Sequence, residues 1–259
     1  MKRTFLPLIF LIILFSFLPI RIFSDTISLA TFNIRIFSNN SRNDKELHQI
    51  CNILKEFDFV AIQEVRDTKI LDRTVSMLKN QFSVEYNYIA SSKVGTEKVK
   101  EIYAYLYRTD KVKLLEDLGV YPDPKNVFIR EPFIAFFKAG NFDFYVISIH
   151  SIYGDCVCER RYEANKLSEV YSKIQNRDDE NDVMLLGDFN LSPDDKGFVE
   201  LLNIPNMVYV NGKILTSIKN RLYDNIFFQS YHTKEYTGKF GVIKFDESLN
   251  GCRDILPLT

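Results

Sequence analysis

The sequence predicts an α+β fold in which strands outnumber helices. Nine apolar or alternating runs have the period of a strand, whereas only three segments have helical spacing. Several strand patterns follow one another directly, which favours a mixed architecture over regular βαβ alternation. The strand patterns cover Ile27–Phe32, Phe59–Ile62, Val84–Ala90, Ile102–Tyr107, Val112–Leu118, Phe133–Phe137, Phe142–Ile149, Val183–Leu186 and Ile226–Gln229. The helical patterns cover Lys45–Phe57, Thr68–Asn80 and Glu159–Gln175.

Two of the helical segments carry a clear apolar face. In the first, four residues recur at i, i+3, i+4 and i+7, so Cys51 is expected to be a buried core thiol. These residues are Leu47, Ile50, Cys51 and Leu54. In the last helix the corresponding face consists of Leu167, Val170, Tyr171 and Ile174.

Composition indicates one globular domain. Of the 259 residues, 46% are hydrophobic and 26% charged, and 22 Phe and 14 Tyr supply a large core, which excludes wholesale disorder. The 33 basic and 34 acidic residues are balanced, so an anionic partner has to be held by local groups. Residues 25–259 contain no repeat and no Pro/Gly-rich linker, which predicts a single domain.

The amino terminus has the pattern of a secretory signal. Lys2 and Arg3 precede the uncharged run Phe5–Ile20, and Ser24 is a small residue at a plausible cleavage site. Residues 1–24 are therefore predicted to be removed and the protein exported. The alternative is an uncleaved membrane anchor, although sixteen residues are fewer than the ~20 that a membrane span needs.

The cysteines do not predict a metal site. Export permits disulfides, but their pairing cannot be derived from the sequence. Cys156 and Cys158 are separated by one residue, which we expect to be too tight for an ordinary bridge. The second cysteine pair that a zinc site requires is also missing there.

Polar side chains follow several of the predicted strands. The first two strand patterns run into Asn33 and Glu64, the seventh into His150, and the eighth into Asp188 and Asn190. Any one of these residues is typical of an ordinary loop. Their occurrence together indicates a functional rim on a rigid scaffold, with Asp188 and Asn190 on one side and the intervening Phe turned into the core.

These residue types fit hydrolysis of a phosphate ester. Asn, Glu and Asp oxygens are ligands for hard cations such as Mg²⁺ or Ca²⁺. A histidine held by a carboxylate can transfer a proton near neutral pH. A cation that neutralises developing charge, together with an imidazole that protonates a leaving oxygen, would cleave a phosphodiester or phosphomonoester.

Four sequence blocks resemble the endonuclease/exonuclease/phosphatase superfamily. They are LATFN at 29–33, AIQEVRD at 61–67, SIHS at 148–151 and NDVMLLGDFN at 181–190. Three further segments are similar to the deoxyribonuclease I family in particular. They are REP at 130–132, YDNI at 223–226, and KE at 100–101, which precedes an aromatic strand that ends in YR. The likeness extends from about residue 27 to 254. It implies a four-layer sandwich of two packed, mostly antiparallel β-sheets flanked by helices, with the active site at one edge.

The resemblance also implies roles for individual residues. His150 would be the general acid, paired with Glu101, and Asp188 and Asn190 would orient the scissile phosphate and help to activate water. Asp224 would support a second histidine. The metal ligands would be Glu64, assisted by Asn33, and Asp254, with Mg²⁺ as the expected cation and Ca²⁺ or Mn²⁺ as alternatives.

Two arginines would contact DNA on the same basis. Arg66 would enter the minor groove and Arg130 would hold a backbone phosphate, contacts that provide affinity without sequence specificity. The alternative for both is a solvated surface arginine, because no basic cluster surrounds either residue.

The sequence departs from the family pattern in two places. The family has a histidine after the aspartate that corresponds to Asp254, where this chain has Ile255, so we expect impaired catalysis. Val99 lies near the position of a tyrosine that packs in the DNA groove. Neither His48, on the first helical segment, nor His232, eight residues after Asp224, is expected to substitute for the missing histidine.

Three functions remain open at this point. The first is a secreted, metal-dependent endonuclease acting on DNA, expected to be a monomer without stable membrane association after signal cleavage. The second is a phosphodiesterase of the same superfamily that acts on a phospholipid such as sphingomyelin. The third is a catalytically weak binding protein on the same scaffold, which the isoleucine at 255 favours.

Overall fold

The computed structural model describes residues 26–96, 100–217 and 220–243. The strands within these ranges are β1 (Leu29–Phe37), β2 (Phe59–Val65), β3 (Tyr86–Ala90), β4 (Ile102–Arg108), β5 (Lys113–Val120), β6 (Phe133–Ala139), β7 (Phe142–His150), β8 (Val183–Asp188), β9 (Met207–Tyr209) and β10 (Asp224–Gln229). The helices are α1 (Asp44–Leu54), α2 (Thr68–Phe82), α3 (Val157–Gln175) and α4 (Val199–Leu202), and a 3₁₀ helix covers Lys196–Phe198.

The strands form two sheets. One has the order β1-β2-β4-β3 and the other β5-β6-β7-β8-β10-β9. The pairs β1/β2 and β7/β8 are parallel, and the remaining neighbours are antiparallel. The predicted α+β class with two mostly antiparallel sheets is confirmed.

Three apolar layers hold the sheets and helices together. Strand residues alternate between them, as in β2, where Phe59 and Ala61 face the other sheet while Val60 and Ile62 pack against the helical layer that contains residues of α1 and α2. The other sheet packs in the same way against α3, the 3₁₀ helix and α4. The order of layers is therefore helix, sheet, sheet, helix, and strands buried on both faces read as continuous apolar runs.

Local signals define the starts of the first two helices. Asn43 forms a capping box with Glu46 before α1, because each residue's side chain accepts a hydrogen bond from the other's backbone N–H. Asp67 caps α2 by accepting from the backbone N–H of Ile70. The carboxylate of Asp67 also accepts from the N–H of Asn39, which fixes the loop after β1.

The predicted elements are present, with shifted ends. The helix predicted at Lys45–Phe57 ends at Leu54, and the strand predicted from Val84 begins at Tyr86. The 3₁₀ helix, α4 and β9 were not predicted, because three or four residues are too few to show a period.

The prediction that Asn33 and Glu64 follow the ends of strands is wrong. β1 continues to Phe37 and β2 to Val65, so both residues lie inside strands. The pairing register shifts just after Asn33 and around Glu64, which is the mark of a bulge. Glu64 has φ 61°, in the left-handed region that few side chains adopt. The bulge, rather than the end of a strand, sets the direction of these side chains.

The expectation for the neighbouring cysteines is also wrong. Cys156 and Cys158 form a disulfide with their Cα atoms 5.2 Å apart, within the normal range for a bridge, because the chain turns into α3 at this point. Cys51 is a buried free thiol, as predicted.

Several predictions fall on residues outside the described ranges. They concern the signal at 1–24, Val99, Asp254 and Ile255. None of the helices formed by the described part of the chain is long and apolar enough to cross a membrane.

Candidate active site

Polar residues from both sheets meet at one edge of the sandwich. His150 and Asp188 are the last residues of β7 and β8 and lie opposite each other in the parallel pair. Asp224, the first residue of β10, pairs with Asp188 on its other side. Across the sandwich, Nδ2 of Asn33 donates to Oδ2 of Asp188 at 3.0 Å. The topology therefore brings together side chains from β1, β7, β8 and β10.

His150 is the central group of this edge. Its Nδ1 lies 2.9 Å and 3.0 Å from the two carboxylate oxygens of Glu101, and both residues are buried. Because a carboxylate accepts, Nδ1 carries the proton, which leaves Nε2 as the nitrogen for exchange with a substrate. The hydroxyl of Tyr103 accepts from the backbone N–H of His150 at 2.9 Å. Glu101, the residue before β4, therefore holds the ring of this histidine, and Tyr103, in β4, holds its backbone.

The charges around His150 favour its protonated form. Burial alone would lower the pKa of the imidazole, but the hydrogen bond and charge of Glu101, with Asp188, raise it above its ordinary value. Arg130 opposes this increase. The histidine is thus suited to donate a proton near neutral pH.

Glu64 keeps its charge at the same edge. Burial would raise the pKa of its carboxyl, but His150, the N–H of Ile36 and Arg66 lower it. Arg66 forms an ion pair with Glu64 at 3.2 Å and also donates to the carbonyl of Lys100. Arg66 is therefore at the site edge, where it is partnered with the carboxylate predicted to bind metal.

Asn33 and Glu64 fit a hard divalent cation. Oδ1 of Asn33 is buried without a hydrogen-bond partner, and Glu64 offers an ionised carboxylate. Mg²⁺ is commonly held by one or two carboxylates, with waters and substrate phosphate completing its shell. Among the described residues no group of three or more His, Cys, Asp or Glu side chains has the geometry of a metal site. The donors present therefore suit a cation that also relies on substrate and water.

Arg130 is buried, which excludes a solvated surface arginine at this position. Its Nε lies 3.0 Å from Oε2 of Glu101, and Nη1 donates to the carbonyl of His150 at 3.2 Å. The arginine thus contacts both members of the acid–base pair.

Asp224 is close to a second carboxylate, that of Asp188, and the charge of His150 also acts on it. Burial, and then the charge of Asp188, raises the pKa of Asp224, whereas Thr216 lowers it. His232 lies beyond the other end of β10, whose five residue steps correspond to ~17 Å. The topology supports the prediction that His232 is no substitute. His48 is exposed on α1, as expected.

Asn190 lies in a tight turn after β8. It has φ 50°, its N–H donates to Oδ1 of Asp188 at 3.0 Å, and its Nδ2 donates to the carbonyl of Ser151 at 2.8 Å. Phe189 between them is buried against the helical layer, as predicted. Gly187 is required before this turn, because a Cβ there would lie 1.9 Å from the carbonyl oxygen of Ile149.

The fold and these contacts agree with a match to a known family. Residues 30–241 match the model of the Endonuclease/Exonuclease/phosphatase family, a range that contains every described site residue from Asn33 to Asp224. The chain belongs to this family.

Curated proteins with similar sequences include several named deoxyribonuclease. A deoxyribonuclease of Thioalkalivibrio sp. (strain K90mix) is 29% identical over 91% of this chain and 66% of its own length. Deoxyribonuclease-1 of Bos taurus is 33% identical over 64% of this chain and 61% of its own length. The chain thus spans somewhat less than two thirds of these curated relatives. The predicted resemblance to the deoxyribonuclease I family is confirmed.

Solved structures agree on the fold. An endonuclease/exonuclease/phosphatase from Bacteroides vulgatus has a TM-score of 0.57 and 20% identity, covering 78% of this chain and 87% of its own. At this identity the comparison supports the sandwich architecture only.

Three polar residues near the site are not predicted by the sequence. They are Tyr103, Glu163 and Thr216. Glu163 carried a usable signal, because it precedes Leu167 by four residues and is thus in line with the apolar face of α3. An acidic residue on a buried helix face needs a partner, and this one has two. Tyr103 had no such signal, since it lies in an aromatic strand.

Proposed function

We propose that the chain is an exported endonuclease that depends on a divalent cation and hydrolyses DNA phosphodiester bonds with little sequence specificity. The observation that carries the proposal is the buried His150–Glu101 pair at the edge that also holds Glu64 and Asp188. The similarity to proteins named deoxyribonuclease supports DNA as the substrate class. The basic and apolar pattern of residues 1–24 supports export.

Glu64 and Asn33 would hold the cation, with Mg²⁺ preferred and Ca²⁺ or Mn²⁺ as alternatives. When bound, the cation supplies positive charge that neutralises the phosphate as its bond to the leaving oxygen breaks. Arg66 keeps Glu64 ionised and oriented through their ion pair. Asp254 remains a proposed further ligand.

His150 would move the proton that hydrolysis requires. Glu101 holds Nδ1, so Nε2 donates its proton to the leaving oxygen, and Glu101 stabilises the charged imidazole until that moment. Asp188 and Asn190 would orient the phosphate and the attacking water. Asp224 would add a carboxylate on the other side of Asp188.

Two arginines would contact DNA, Arg66 in the minor groove and Arg130 at a backbone phosphate. Arg66, with a side chain 28% exposed, is accessible to substrate at the site edge. Arg130 is buried behind Glu101, so its contact with phosphate would be made next to the acid–base pair. Contacts of this kind bind any sequence.

The first prediction is that the purified chain nicks supercoiled plasmid with Mg²⁺ and that EDTA abolishes the nicking. The His150→Ala variant is expected to lose about 10²–10⁴-fold in rate, because the proton donor is removed. His48→Ala is the matched control, since His48 is exposed on α1 and should leave the rate unchanged. Nicking and thermal unfolding are measured for all three proteins.

Three outcomes would contradict the proposal. Intact plasmid with cleavage of sphingomyelin in vesicles would assign the chain to phospholipid hydrolysis. Plasmid that is bound but not cleaved, with or without metal, would indicate a binding protein that has kept the scaffold. Equal losses in His150→Ala and His48→Ala would show that the activity is not that of this site.

A further inference from the structure

Glu163 is a buried carboxylate on α3 that has no part in the chemistry proposed above. It is only 2% exposed, and each of its oxygens accepts a hydrogen bond from a different loop. Oε1 accepts from the backbone N–H of Ile129 at 2.9 Å, and Oε2 accepts from the N–H of Ile152 at 2.7 Å. Burying a carboxylate is costly unless donors compensate it. The two N–H groups offset part of that cost, although burial still raises the pKa of the Glu163 carboxyl, and both loops are thereby fixed to the helix.

The first of these loops leads directly to Arg130. Residues 121–132 connect β5 to β6 without helix or strand, and buried Phe128, two residues before Arg130, already anchors the loop in the core. Ile129 is the residue before Arg130, whose guanidinium lies 3.0 Å from Glu101. A bond at the backbone of Ile129 therefore fixes the Cα from which Arg130 reaches the acid–base pair.

The second loop follows His150. Ile152 is two residues after the histidine, in the segment that connects β7 to α3. The carbonyl of Ser151, between them, accepts from Nδ2 of Asn190. Glu163 thus holds the chain on one side of His150, while Tyr103 bonds the backbone N–H of His150 itself.

We propose that Glu163 is a positioning residue that keeps Arg130 and His150 in register on either side of Glu101. The inference rests on the proposed function, because the His150–Glu101 pair is the proposed acid–base group. Glu163 acts only through the two loops and touches neither substrate nor cation.

The relative position of Arg130 and His150 matters because both side chains contact the carboxylate of Glu101. His150 approaches both of its oxygens, and Arg130 approaches Oε2. Glu101 raises the pKa of His150, whereas the charge of Arg130 lowers it. If the loop that carries Arg130 is released, the arginine moves away and the carboxylate pairs with the histidine alone. The imidazole should then bind its proton more tightly.

The test compares Glu163→Gln with Glu159→Gln. A glutamine at 163 can accept from one loop only and presents its amide N–H₂ to the other, whereas Glu159 is exposed in the first turn of the same helix. For Glu163→Gln we expect kcat for plasmid nicking to fall about 10–100-fold with KM changed less than about threefold, since misplacement of catalytic groups affects the chemical step. Glu159→Gln should match the parent chain.

A second readout does not require activity. The titration of His150, followed by NMR of the imidazole, should move to higher pH in Glu163→Gln and stay in place in Glu159→Gln. A residue with only a structural role would lower the melting temperature without moving this titration. If the parent chain does not nick DNA but the titration still moves, the proposed function fails and the positioning role stands. An unchanged titration and unchanged kcat in folded Glu163→Gln would overturn the inference.

Two further variants cover the case in which Glu163→Gln does not fold. Glu163→Asp keeps the charge but is one methylene shorter, so it can hold one loop and should show a smaller shift in the same direction. Combining Glu163→Asp with Arg130→Gln tests the route of the effect. If Glu163 acts through Arg130, the double variant should titrate like Arg130→Gln alone, and additive shifts would contradict the mechanism.

Discussion

Asp182 is a single half-buried residue whose carboxylate lies far from the proposed active site. It precedes β8 at the end of the strand opposite Asp188, and its Oδ1 is buried without a hydrogen-bond partner. Burial, with the nearby charges of Glu180 and Glu235, raises its pKa to about 6, although the side chain of Thr233 opposes this increase. The folded chain therefore holds this proton more tightly than the unfolded chain, whose value is 3.8.

The sign of the pH effect follows from this difference. Stability falls wherever the folded state binds more protons than the unfolded state, here as pH rises from about 4 to about 6. Above that window the burial penalty on the charged carboxylate is fully present. A shift of about two units corresponds to ~3 kcal/mol, which partial exposure reduces to ~1 kcal/mol.

We predict that Asp182→Asn raises the free energy of unfolding by ~1 kcal/mol at pH 7.5 and has little effect at pH 4. The measurement is urea denaturation at both pH values. Asp179→Asn is the matched control, because Asp179 is an exposed acid in the same loop and should change stability at neither pH. A variant less stable than the parent at pH 7.5 would mean that the ionised carboxylate has a stabilising partner.

The sequence predicts the positions of some site residues in their strands correctly and those of others wrongly. His150 and Asp188 end their strands as predicted, because apolar runs define β7 and β8 clearly. Asn33 directly precedes one bulge and Glu64 lies within another, and bulges depend on pairing with a neighbouring strand and leave no periodic mark. The burial of Arg130 depends on Glu101, a partner distant in sequence, so local composition could not reveal it.

Among the helices and strands, α3 departs most from the sequence prediction at its start, where Cys156 and Cys158 form a disulfide that the sequence does not predict. Cys156 is the residue before the first turn and provides no side-chain cap, and its disulfide to Cys158 closes a loop of three residues. Both sulfur-bearing residues are exposed. So short a loop removes little entropy from the unfolded chain, so we expect the bridge to contribute less than about 2 kcal/mol.

We predict that peptide mapping without reduction finds Cys156 and Cys158 joined within one peptide and Cys51 as a thiol. Cys51 should react with an alkylating reagent only after unfolding, because it is buried on α1. Mild reduction should lower the melting temperature by no more than a few degrees. Alkylation of Cys156 and Cys158 in the unreduced native chain would contradict the bridge.

Long elements were predictable, while their ends and the short elements were not. Leu47 and Cys51 show the period that predicts α1, and both are buried as that pattern requires. β9 has three residues and is defined by its pairing with β10, which is a tertiary contact. The apolar pattern predicts that β1 ends at Phe32, where the polar Asn33 follows, yet backbone pairing continues to Phe37.

At the scale of the whole molecule, the site exists only when the two sheets are docked. Asn33 reaches Asp188 from the opposite sheet, and Glu101 reaches His150 in the same way. Deeper in the sandwich, Nε2 of Gln63 donates to Oγ of Ser148 at 3.0 Å, one residue before Glu64 and two before His150. These hydrogen bonds fix the offset of one sheet against the other, so the geometry of the site is a property of the assembled sandwich.

For the proposed function, the net charge implies that binding of DNA would depend on few groups. The whole chain has a formal net charge of −1, and removal of residues 1–24 takes away three basic residues and no acidic one, which gives −4. A polyanion would therefore be repelled by most of the surface and held at the site by Arg66, Arg130 and the bound cation. Each phosphate contact releases condensed counterions and contributes ~0.9 to the salt exponent.

We therefore predict that the catalytic efficiency on plasmid falls with NaCl as a power of about −2, or roughly fourfold for each doubling of the salt concentration. Arg66→Gln should weaken this dependence by about one power, because one cationic contact that displaces counterions from the DNA is lost. Hydrolysis of bis(p-nitrophenyl) phosphate, a small monoanion, serves as the control. Its catalytic efficiency should change little with NaCl, since this substrate has no chain of phosphates that condenses counterions. Efficiency on plasmid that is independent of salt would show that the substrate is not held through its phosphates. An exponent of −5 or steeper would also contradict the prediction. It would require an extended basic surface, whereas the acidic residues of this chain slightly outnumber the basic ones.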